Sequence, residues 1–579
     1  MKSTVLVPAG APEGRLTLRS LAVDLSLLLA GLFLVVLIAN LGSQMAVSFH
    51  PSARQAGLDL APIHLPYYAA RSLLRMFIGL AISLLIGVSV GSLTARSAVA
   101  ERLLLPVVDV LQSVPVLGFL AVIVPFFLGL FPGNALGLEA ASIFAIVTGQ
   151  VWNLIFCYHQ SLATIPGELL EAAGVYGFSG WQRFTRLELP SSAIPLVWNG
   201  MVSFAGGWFF ATQSEAISVD NASYILPGLG SYVASAIALQ RMDSVLWALL
   251  TMLVLIVLTD QLFWRPIVAW SERFRFDSGT AAQPAGSWLL ELLQQSRALA
   301  WLGGRLERMS APLRRRLNRW TAAGRQERLR GRRREAPRWL DALVLVLGGL
   351  LLVPALAHSL RQLGSLEILR VVGCALLTLG RVAAVVGAST WLFLPLAVTI
   401  GLRPKLASLL QPLMLMLASI PANLLFPFFT VVFLLSGTPL TLGCVLLMAM
   451  GAQWYVLFNT TAGASAIPND LREMALVFHL RGRQRWRRFL MPALFSSWVT
   501  GAVTASGAAW NASIVAELVT WGHHRLSTPG LGSYIAEATA SGDKPRLLLG
   551  LVVMSLLVVG FNRMLWRPLH RLAERRYGH

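Results

Sequence analysis

The chain has 579 residues, of which 56% are hydrophobic and only 13% charged, and its formal net charge is +20. Soluble globular proteins carry about 25% charged residues, so this composition argues against a soluble cytosolic enzyme. The basic excess does not indicate a nucleic-acid-binding protein, because the remainder of the chain is apolar. The three cysteines, Cys157, Cys374 and Cys444, lie in apolar stretches and are odd in number, which favours neither a disulfide framework nor a metal site.

Apolar runs of about 20 residues, the length that crosses a bilayer, recur along the whole chain. They predict an all-α membrane protein of about twelve transmembrane helices. The predicted spans of the first half are 21–43, 73–95, 104–131, 139–160, 190–218 and 243–265. Those of the second half are 341–360, 374–402, 408–436, 438–461, 492–518 and 546–566. The first span is expected to be a retained anchor in the cell (inner) membrane.

The distribution of Lys and Arg predicts the orientation of these spans. With a cytoplasmic N-terminus, most basic residues fall in cytoplasmic segments, as membrane proteins require. Both termini are then predicted to be cytoplasmic, and the positive charge is explained without nucleic acid.

The chain contains an internal duplication. At a constant offset of 302 residues Pro166 matches Pro468 and Trp208 matches Trp510, and the sequence PGLGSY at 227–232 recurs at 529–534. Further upstream the offset is 306. Six spans per repeat place both halves in the same orientation, so two parallel repeats are predicted. We divide the chain into a first permease domain at 1–270, a basic linker at 271–340 and a second permease domain at 341–579.

A shared loop between the fourth and fifth spans of each half carries the most specific motif. In the first half Glu171-Ala172-Ala173 is followed after three residues by Gly177, and nine residues later by Leu187-Glu188-Leu189-Pro190. This resembles the EAA signature of ABC importer permeases. The second half retains Glu473, Ala475 and Pro492, but Met474 replaces an alanine and His479 replaces the glycine. A bulky residue at that turn disfavours a positive backbone angle, so we expect the second loop to differ from the first.

Family resemblance covers nearly the whole chain apart from the linker. The matched Arg75 and Arg381, the GLG segments at 228–230 and 530–532, and the sequence Trp-Arg-Pro at 264–266 and 566–568 are similar to the nitrate, sulfonate, taurine and bicarbonate branch, in a duplicated (fused) form. The resemblance implies a type I ABC importer transmembrane fold and a small anion as solute. It also implies two ATP-binding cassette subunits, identical or different, and a periplasmic or lipid-anchored solute-binding protein.

The chain itself is not expected to be an enzyme. Its only lysines, Lys2, Lys405 and Lys544, do not follow a phosphate-binding GxxxxG pattern, so ATP and Mg are expected on partner subunits. No nucleophile with an adjacent base, metal motif or resident cofactor is predicted.

Ionisable residues inside the predicted spans are candidates for the pathway or its gate. Glu215 and Glu517 lie near the outer end of the fifth spans, and Arg75 and Arg381 near the outer end of the second spans. Equal depth and opposite charge predict the pairs Arg75 with Glu215 and Arg381 with Glu517. The arginines either fix the helices structurally or attract an anion. The uncharged candidates, which otherwise serve helix packing, are Gln112, Gln150, Asn199, Gln213, Gln453 and Asn511. Pro115, Pro125, Pro421 and Pro427 are expected to kink spans.

The linker at 271–340 contains sixteen Arg, no Lys and six acidic residues. Apolar residues from Leu299 to Trp320 recur every three or four positions, which predicts a basic amphipathic helix on the membrane lipid of the inner leaflet. A dock for the ATP-binding subunit, a regulatory nucleotide site and a flexible tether are the alternatives.

The interpretation as an ABC permease has one rival from another class. An ion-coupled secondary transporter can also consist of parallel six-span repeats, but its coupling carboxylates are expected near the midplane. A membrane scaffold without transport is the remaining alternative.

Overall fold

The computed structural model describes residues 18–48, 57–113, 115–219, 222–274, 286–322 and 361–577, together with residues 350, 354 and 357. The first half begins with helices α1 Leu18–Ser43, α2 Leu65–Arg96, α3 Ala98–Ser113, α4 Val116–Leu130, α5 Leu136–Ala163, α6 Gly167–Val175 and α7 Gly180–Arg183. It continues with α8 Leu189–Ser214, strands β1 Ala216–Val219 and β2 Ala222–Ile225, and helices α9 Leu229–Ala238, α10 Met242–Thr259 and α11 Arg265–Ser271.

The linker forms α12 Trp288–Gln295 and α13 Arg297–Ala322. The second half begins with α14 Ser365–Gly401, α15 Pro404–Ser419, α16 Ala422–Ser436, α17 Leu440–Ala466, α18 Asn469–Val477 and α19 Gly482–Arg485. It ends with α20 Met491–Ala516, strands β3 Leu518–Trp521 and β4 His524–Ser527, α21 Leu531–Ser541, α22 Lys544–Phe561 and α23 Arg567–Tyr577.

Close packing of α2 against α5 organises the first half. Gly79, Gly87 and Gly91 face Ile146, Leu154 and Tyr158 in the same order, so the two helices run parallel. Without side chains at these glycines the two backbones approach closely. The intervening chain must therefore return across the bundle between them, and α3 with α4 does so as one broken span.

The third span of each half is bent rather than straight. The axes of α3 and α4 differ by 100°, and those of α15 and α16 by 74°. Pro115 and Pro421 stand at the N-terminal ends of α4 and α16. A proline has no N–H to continue the helical ladder, which accounts for the position of the break. The predicted kinks at these two prolines are thus present, whereas Pro125 and Pro427 lie inside helices.

Four π turns occupy matching positions in the two halves. They are Phe184–Glu188, Trp486–Leu490, Asp260–Trp264 and Asn562–Trp566. Each ends two residues before a proline, whose missing N–H favours a local change of helical register.

Two short hairpins were not predicted. In each half the fifth span ends earlier than expected, at Ser214 and Ala516, and the chain forms β1 with β2 or β3 with β4. The pairing is antiparallel, with Ala216 opposite Ile225 and Leu518 opposite Ser527. The hydropathy of the preceding helix continues into these first strands, so the predicted spans extend to residue 218 in β1 and to Leu518, the first residue of β3.

The two halves pack side by side in the same orientation. At the end that carries the hairpins, the N–H of Gly522 donates to the carbonyl of Ile237 at 2.9 Å. Towards the end that carries α6 and α18, Arg567 bonds Asp109 at 2.5 Å. Like ends therefore meet like ends, as parallel repeats require. The main hydrophobic core also crosses the boundary, since Leu117 and Leu120 of α4 pack in one cluster with Ile535 and Leu551.

Nine segments of the described chain are long and apolar enough to cross a membrane, or up to eleven if each bent pair is one span. The fold is helical throughout apart from the hairpins, and the all-α prediction of a duplicated membrane domain is confirmed. The predicted span at 341–360 lies almost entirely outside the described residues.

The contacts between halves predict that a covalent link is not required for assembly. We expect residues 1–340 and 341–579, coexpressed as separate chains, to copurify from detergent, because apolar and polar contacts join the halves at both ends. A tag on the first fragment and size-exclusion chromatography would measure this. Recovery of the first fragment alone would contradict the prediction.

Candidate functional site

A buried carboxylate holds three helices together at the hairpin end of the first half. Glu215, directly after α8, accepts from Arg75 of α2 at 2.7 Å and from the hydroxyl of Ser72 at 2.5 Å. Its second oxygen accepts the backbone N–H of Gly230 in α9 at 2.7 Å. Glu215 and Arg75 are both fully buried. Each carboxylate oxygen thus has donors, as an ion in a low-dielectric site requires.

A second glutamate completes this site. Glu139 of α5 accepts from Arg75 at 2.5 and 2.9 Å, and it also pairs with Arg71. Arg75 in turn donates to the carbonyl of Pro227 at 2.9 Å. Two arginines and two carboxylates make this hairpin-end cluster of the first half electrically neutral.

The second half repeats the hairpin-end cluster with one carboxylate. Glu517 accepts from Arg381 and from the hydroxyl of Thr378, both at 2.7 Å, and from the N–H of Gly532 at 2.8 Å. Arg381 also donates to the hydroxyl of Thr528 at 2.9 Å. Both predicted ion pairs are therefore present, and they join α2 to α8 and α14 to α20.

The repeated PGLG segment fits closely over each carboxylate. A Cβ on Gly228 would overlap the carboxylate of Glu215, and one on Gly230 would overlap the backbone carbonyl of Thr212. Gly530 and Gly532 stand in the same relation to Glu517 and Ser513. These positions require glycine because helix and carboxylate approach the backbone too closely for any side chain.

A cavity of about 280 Å³ lies between the halves. Its walls come from α5 and α8 of the first half and from α17 and α20 of the second, with Trp152, Phe209, Trp454 and Phe458 among the aromatic side chains. Polar groups on the walls include Thr148, Asn153, Tyr455, Thr504 and Asn562. No Asp, Glu, Lys or Arg of the described chain lines it.

The predicted pathway residues divide between several environments. Gln112 and Asn511 line the central cavity. The side-chain amide oxygen of Asn511 also accepts the backbone N–H of Val116 from the other half at 3.1 Å. Gln213 lines a smaller cavity of about 170 Å³ near the hairpins. Asn199 donates to Cys157 and to the carbonyl of Pro195, within the first half.

Gln150 and Gln453 do not line either cavity. Gln150 is fully buried against Gly207, and its amide atoms have no hydrogen-bond partner among the described residues. In the second half Ala452 and Ala509 stand at these two positions, so a large and a small residue are replaced by two of intermediate size. Gln453 is half-buried on α17.

A closed layer separates the two cavities. The side chain of Asn423 donates to the hydroxyl of Thr212 at 2.8 Å across the boundary between halves. Both residues line the smaller cavity, whereas the neighbouring Pro421 and Ala422 line the central one. The bend between α15 and α16 therefore lies at the division between the two cavities.

Several site residues were not predicted from the sequence. Glu139 and Arg71 have no charged match in the second repeat, since the 302 offset that holds along α5 leads from Glu139 to Thr441, and the 306 offset leads from Arg71 to Leu377. Ser72 and Thr378 do match at that offset, and both hydroxyls bridge a carboxylate to α9 or α21. Repetition of a small hydroxyl beside the arginine was the available signal.

The first connecting loop, residues 164–188, is a helix followed by a tight turn. Helix α6 ends where Gly177 takes φ +65° and the N–H of Phe178 donates to Ala173 at 2.9 Å. Ser179 then caps α7 by a reciprocal bond with Gln182. Within α6, Ala173 is buried, whereas Glu171 is exposed. Pro190 follows at the start of α8.

The second connecting loop, residues 467–490, has the same turn despite His479. This residue takes φ +49°, and the N–H of Leu480 donates to Ala475 at 3.0 Å. The expectation that the second loop would differ at this turn is therefore wrong. The surrounding hydrogen bonds hold the histidine in a conformation that an L-residue adopts at some cost.

Each connecting loop presents an exposed apolar tip. Val175 and Tyr176 are 86% and 79% exposed, and their matches Val477 and Phe478 are 72% and 69% exposed. Exposed neighbouring apolar side chains at a helix end are typical of a surface that contacts another protein or a membrane. Glu171 of α6 and Glu473 of α18 are both exposed on the helices that lead to these tips.

The described part of the chain contains no group of three or more His, Cys, Asp or Glu side chains placed to bind a metal ion.

Fold and site together define a multi-span membrane permease built from two like halves. Residues 83–263 and 393–567 each match the family described as binding-protein-dependent transport system inner membrane component. The chain therefore belongs to this family, and it contains the family domain twice.

Individual relatives resemble one permease domain. The nitrate import permease protein NrtB of Leptolyngbya laminosa is 26% identical over 29% of this chain and 57% of that protein. The bicarbonate transport system permease protein CmpB of Synechocystis is 30% identical over 28% of this chain and 55% of that protein. The glycine betaine/carnitine transport permease protein GbuB of Listeria monocytogenes is 34% identical over 19% and 36%. The chain thus spans little more than half the length of the nitrate and bicarbonate permeases.

The buried ion pair of the second half predicts a large stability effect. Glu517→Gln leaves Arg381 buried without a carboxylate, which we expect to cost about 3–5 kcal/mol. Glu537→Gln is the matched control, because Arg525 and Glu537 form an ion pair at 3.1 Å with both side chains about half exposed. Exposed pairs contribute at most about 1 kcal/mol. Unfolding in detergent would compare the variants, and equal losses would contradict the prediction.

The left-handed turns predict opposite effects of exchanging their residues. His479→Gly removes the strain of a positive φ and should stabilise the protein by up to about 1 kcal/mol, whereas Gly177→Ala should destabilise it by about 1–2 kcal/mol. The midpoint of thermal unfolding measures both. A shift of the midpoint in the same direction for both variants would show that the turn conformation does not determine the effect.

Proposed function

We propose that this chain supplies two membrane-spanning domains of an ATP-binding cassette importer. The observation that carries the proposal is the duplicated connecting loop, which presents an apolar tip at the same end of each half. Two equivalent contact surfaces on one chain suit two ATP-binding subunits that act as a pair. Family membership supports this assignment, since the family description names a binding-protein-dependent transport system.

The loops project into the cytoplasm in this proposal, and both chain termini are cytoplasmic. Each tip is seated in an ATP-binding subunit through its apolar pair, with Glu171 and Glu473 offering a charge to the rim of the contact. ATP and Mg are bound by those subunits. Helices α8 and α20 begin at Leu189 and Met491, directly after the loops and with Pro190 and Pro492 in their first turns, so loop movement is transmitted to the walls of the central cavity.

Solute passes between the halves, through the central cavity, after delivery by an external solute-binding protein. Alternating access then requires opening of the layer at Thr212 and Asn423. We propose a small anion such as nitrate, bicarbonate or a sulfonate, on the basis of the named relatives. The cavity is compatible with this, because its amide and hydroxyl groups can donate hydrogen bonds without fixed charge. A zwitterion such as glycine betaine is the alternative suggested by another relative.

An ion-coupled secondary transporter is less well supported. Its coupling carboxylate would need to exchange a proton or cation, but Glu215 and Glu517 are held by arginine, hydroxyl and backbone donors. Their role in this proposal is to fix α8 and α20 at the hairpin end.

Replacement of the exposed aromatic residues tests the docking surface. We expect Tyr176→Ser with Phe478→Ser to abolish copurification of ATP-binding subunits from the native membrane, because the apolar area at both contacts is lost. Leu239→Ser is the matched control, since Leu239 is 64% exposed at the hairpin end. Mass spectrometry of the purified complex identifies the subunits.

Uptake measurements on the same variants separate the alternatives. The importer proposal predicts ATP-dependent uptake in vesicles that contain the complex, and its loss in the double variant. Uptake of nitrate, bicarbonate, sulfonates and glycine betaine is compared to assign the solute class. Solute movement by the isolated chain down an ion gradient would overturn the proposal in favour of a secondary transporter.

A further inference from the structure

The linker helix α13 is attached to the first half at both of its ends. At its start, Ser296 donates to the carboxylate of Asp24 in α1 at 2.6 Å, and the N–H of Ala298 approaches the same oxygen at 3.3 Å. Near its end, the N–H of Trp181 donates to Thr321 at 3.3 Å, and Ser179 donates to Asn318 at 3.0 Å. The helix of 26 residues therefore extends about 39 Å from α1 to the first connecting loop.

These contacts distinguish the first loop from the second. A Cβ on Gly180 would lie 3.4 Å from Thr321, whereas one on the matching Gly482 would have no atom within 4 Å. Arg481 and Arg483 replace Ser179 and Trp181 at the 302 offset. The linker helix is thus fitted to one loop of the pair.

The surface of α13 is divided into three faces. Gly303, Ser310, Asn318 and Thr321 are partly buried towards the protein. An adjoining apolar stripe remains exposed, from 47% at Leu302 to 80% at Trp320, and it comprises Leu302, Leu306, Met309, Leu313 and Trp320. Beyond the stripe lies an exposed basic face of Arg305, Arg308, Arg315 and Arg319.

The starting point of α13 indicates what covers the apolar stripe. Asp24 lies where the lipid-facing surface of α1 begins, since Leu25, Leu28 and Leu32 are each more than half exposed. The start of α13, from which the stripe runs, therefore lies beside a hydrophobic surface of α1 that suits the bilayer. Flanking arginines suit the negative surface of an anionic leaflet, and their guanidinium groups pair with lipid phosphate.

We propose that α13 binds an anionic lipid surface through its apolar stripe and arginines, and that this attachment holds the first connecting loop at residues 179–181. The lipid contact does not depend on the transport function. A regulatory consequence follows from the proposed function, because the first loop would then be ordered by the lipid composition of the membrane while the second is not.

An environment-sensitive fluorophore tests the lipid contact. The full chain, with its three cysteines replaced by alanine, carries Met309→Cys labelled with bimane. It is reconstituted in nanodiscs of phosphatidylcholine alone or with phosphatidylglycerol. We expect a blue shift of emission with phosphatidylglycerol, and its loss when Arg305, Arg308, Arg315 and Arg319 are all replaced by glutamine. Val477→Cys, equally exposed at 72%, is the control that should remain in water.

Three outcomes would overturn the lipid assignment. Emission that stays red in both nanodiscs shows that lipid does not reach the stripe. A shift that is the same in both shows that anionic lipid is not selected. A blue-shifted emission that is already present with phosphatidylcholine alone and is not quenched by spin-labelled lipid shows that the stripe is covered by protein.

Hydrogen–deuterium exchange of the unmodified chain provides a measurement without labels or cysteine replacement. Phosphatidylglycerol should slow backbone exchange at residues 179–186 and leave residues 481–488 unchanged. Asn318→Ala with Thr321→Val should remove the slowing while the fluorescence shift remains. Equal effects on both loops would overturn the positioning role. No ATP-binding subunit or solute is present, so failure here is distinct from failure of the proposed transport function.

Discussion

One buried carboxylate per half determines how the other elements are arranged. Glu215 and Glu517 directly follow α8 and α20, which line the central cavity, and each must be neutralised because an isolated charge at this depth is not tolerated. The neutralising donors come from three directions: an arginine, a hydroxyl one turn away, and backbone N–H groups of the PGLG segment. Satisfying them fixes α2, α8 and α9 relative to one another in the first half, and α14, α20 and α21 in the second. The chain must also reverse sharply after α8 and α20, and the hairpins form these reversals.

The duplicated halves have diverged mainly away from this constraint. The arginine, hydroxyl, glutamate and glycines recur, whereas Glu139 belongs to one half and Gln150 with Gly207 is replaced by Ala452 with Ala509. The connecting loops keep the same turn, but one is capped by Ser179 and packed against α13, and the other carries Arg481 and Arg483. A heterodimer-like arrangement thus exists within one chain, with common geometry at the hairpin end and different chemistry at the loop end.

The sequence allowed prediction of what the repeat and hydropathy encode directly. Arg75 with Glu215 and Arg381 with Glu517 were predictable because each pair lies at one depth and occurs twice. Glu139 was not, since a single acidic residue without a repeated match gives no register to its partner. The hairpins were missed because β1 and β3 continue the apolar run of the helix before them. Pro115 and Pro421 indicated a break, but the angles of 100° and 74° depend on packing between the halves. His479 kept the turn because its neighbours, through the bond from Leu480 to Ala475, determine the backbone there.

The positions of the charged residues bear on how a solute would pass between the two halves. The hairpin-end clusters are neutral as units and buried, so they supply little field to attract an ion. Asp109 and Arg567 also offset each other towards the loop end. The central cavity between these charged layers has amide, hydroxyl and aromatic groups on its described walls. A fixed cation there would bind an anion strongly and slow its release, whereas neutral donors allow binding that is weak enough for exit. In the proposed importer, selectivity therefore rests on the external binding protein, and the chain supplies a path whose opening is controlled by the connecting loops.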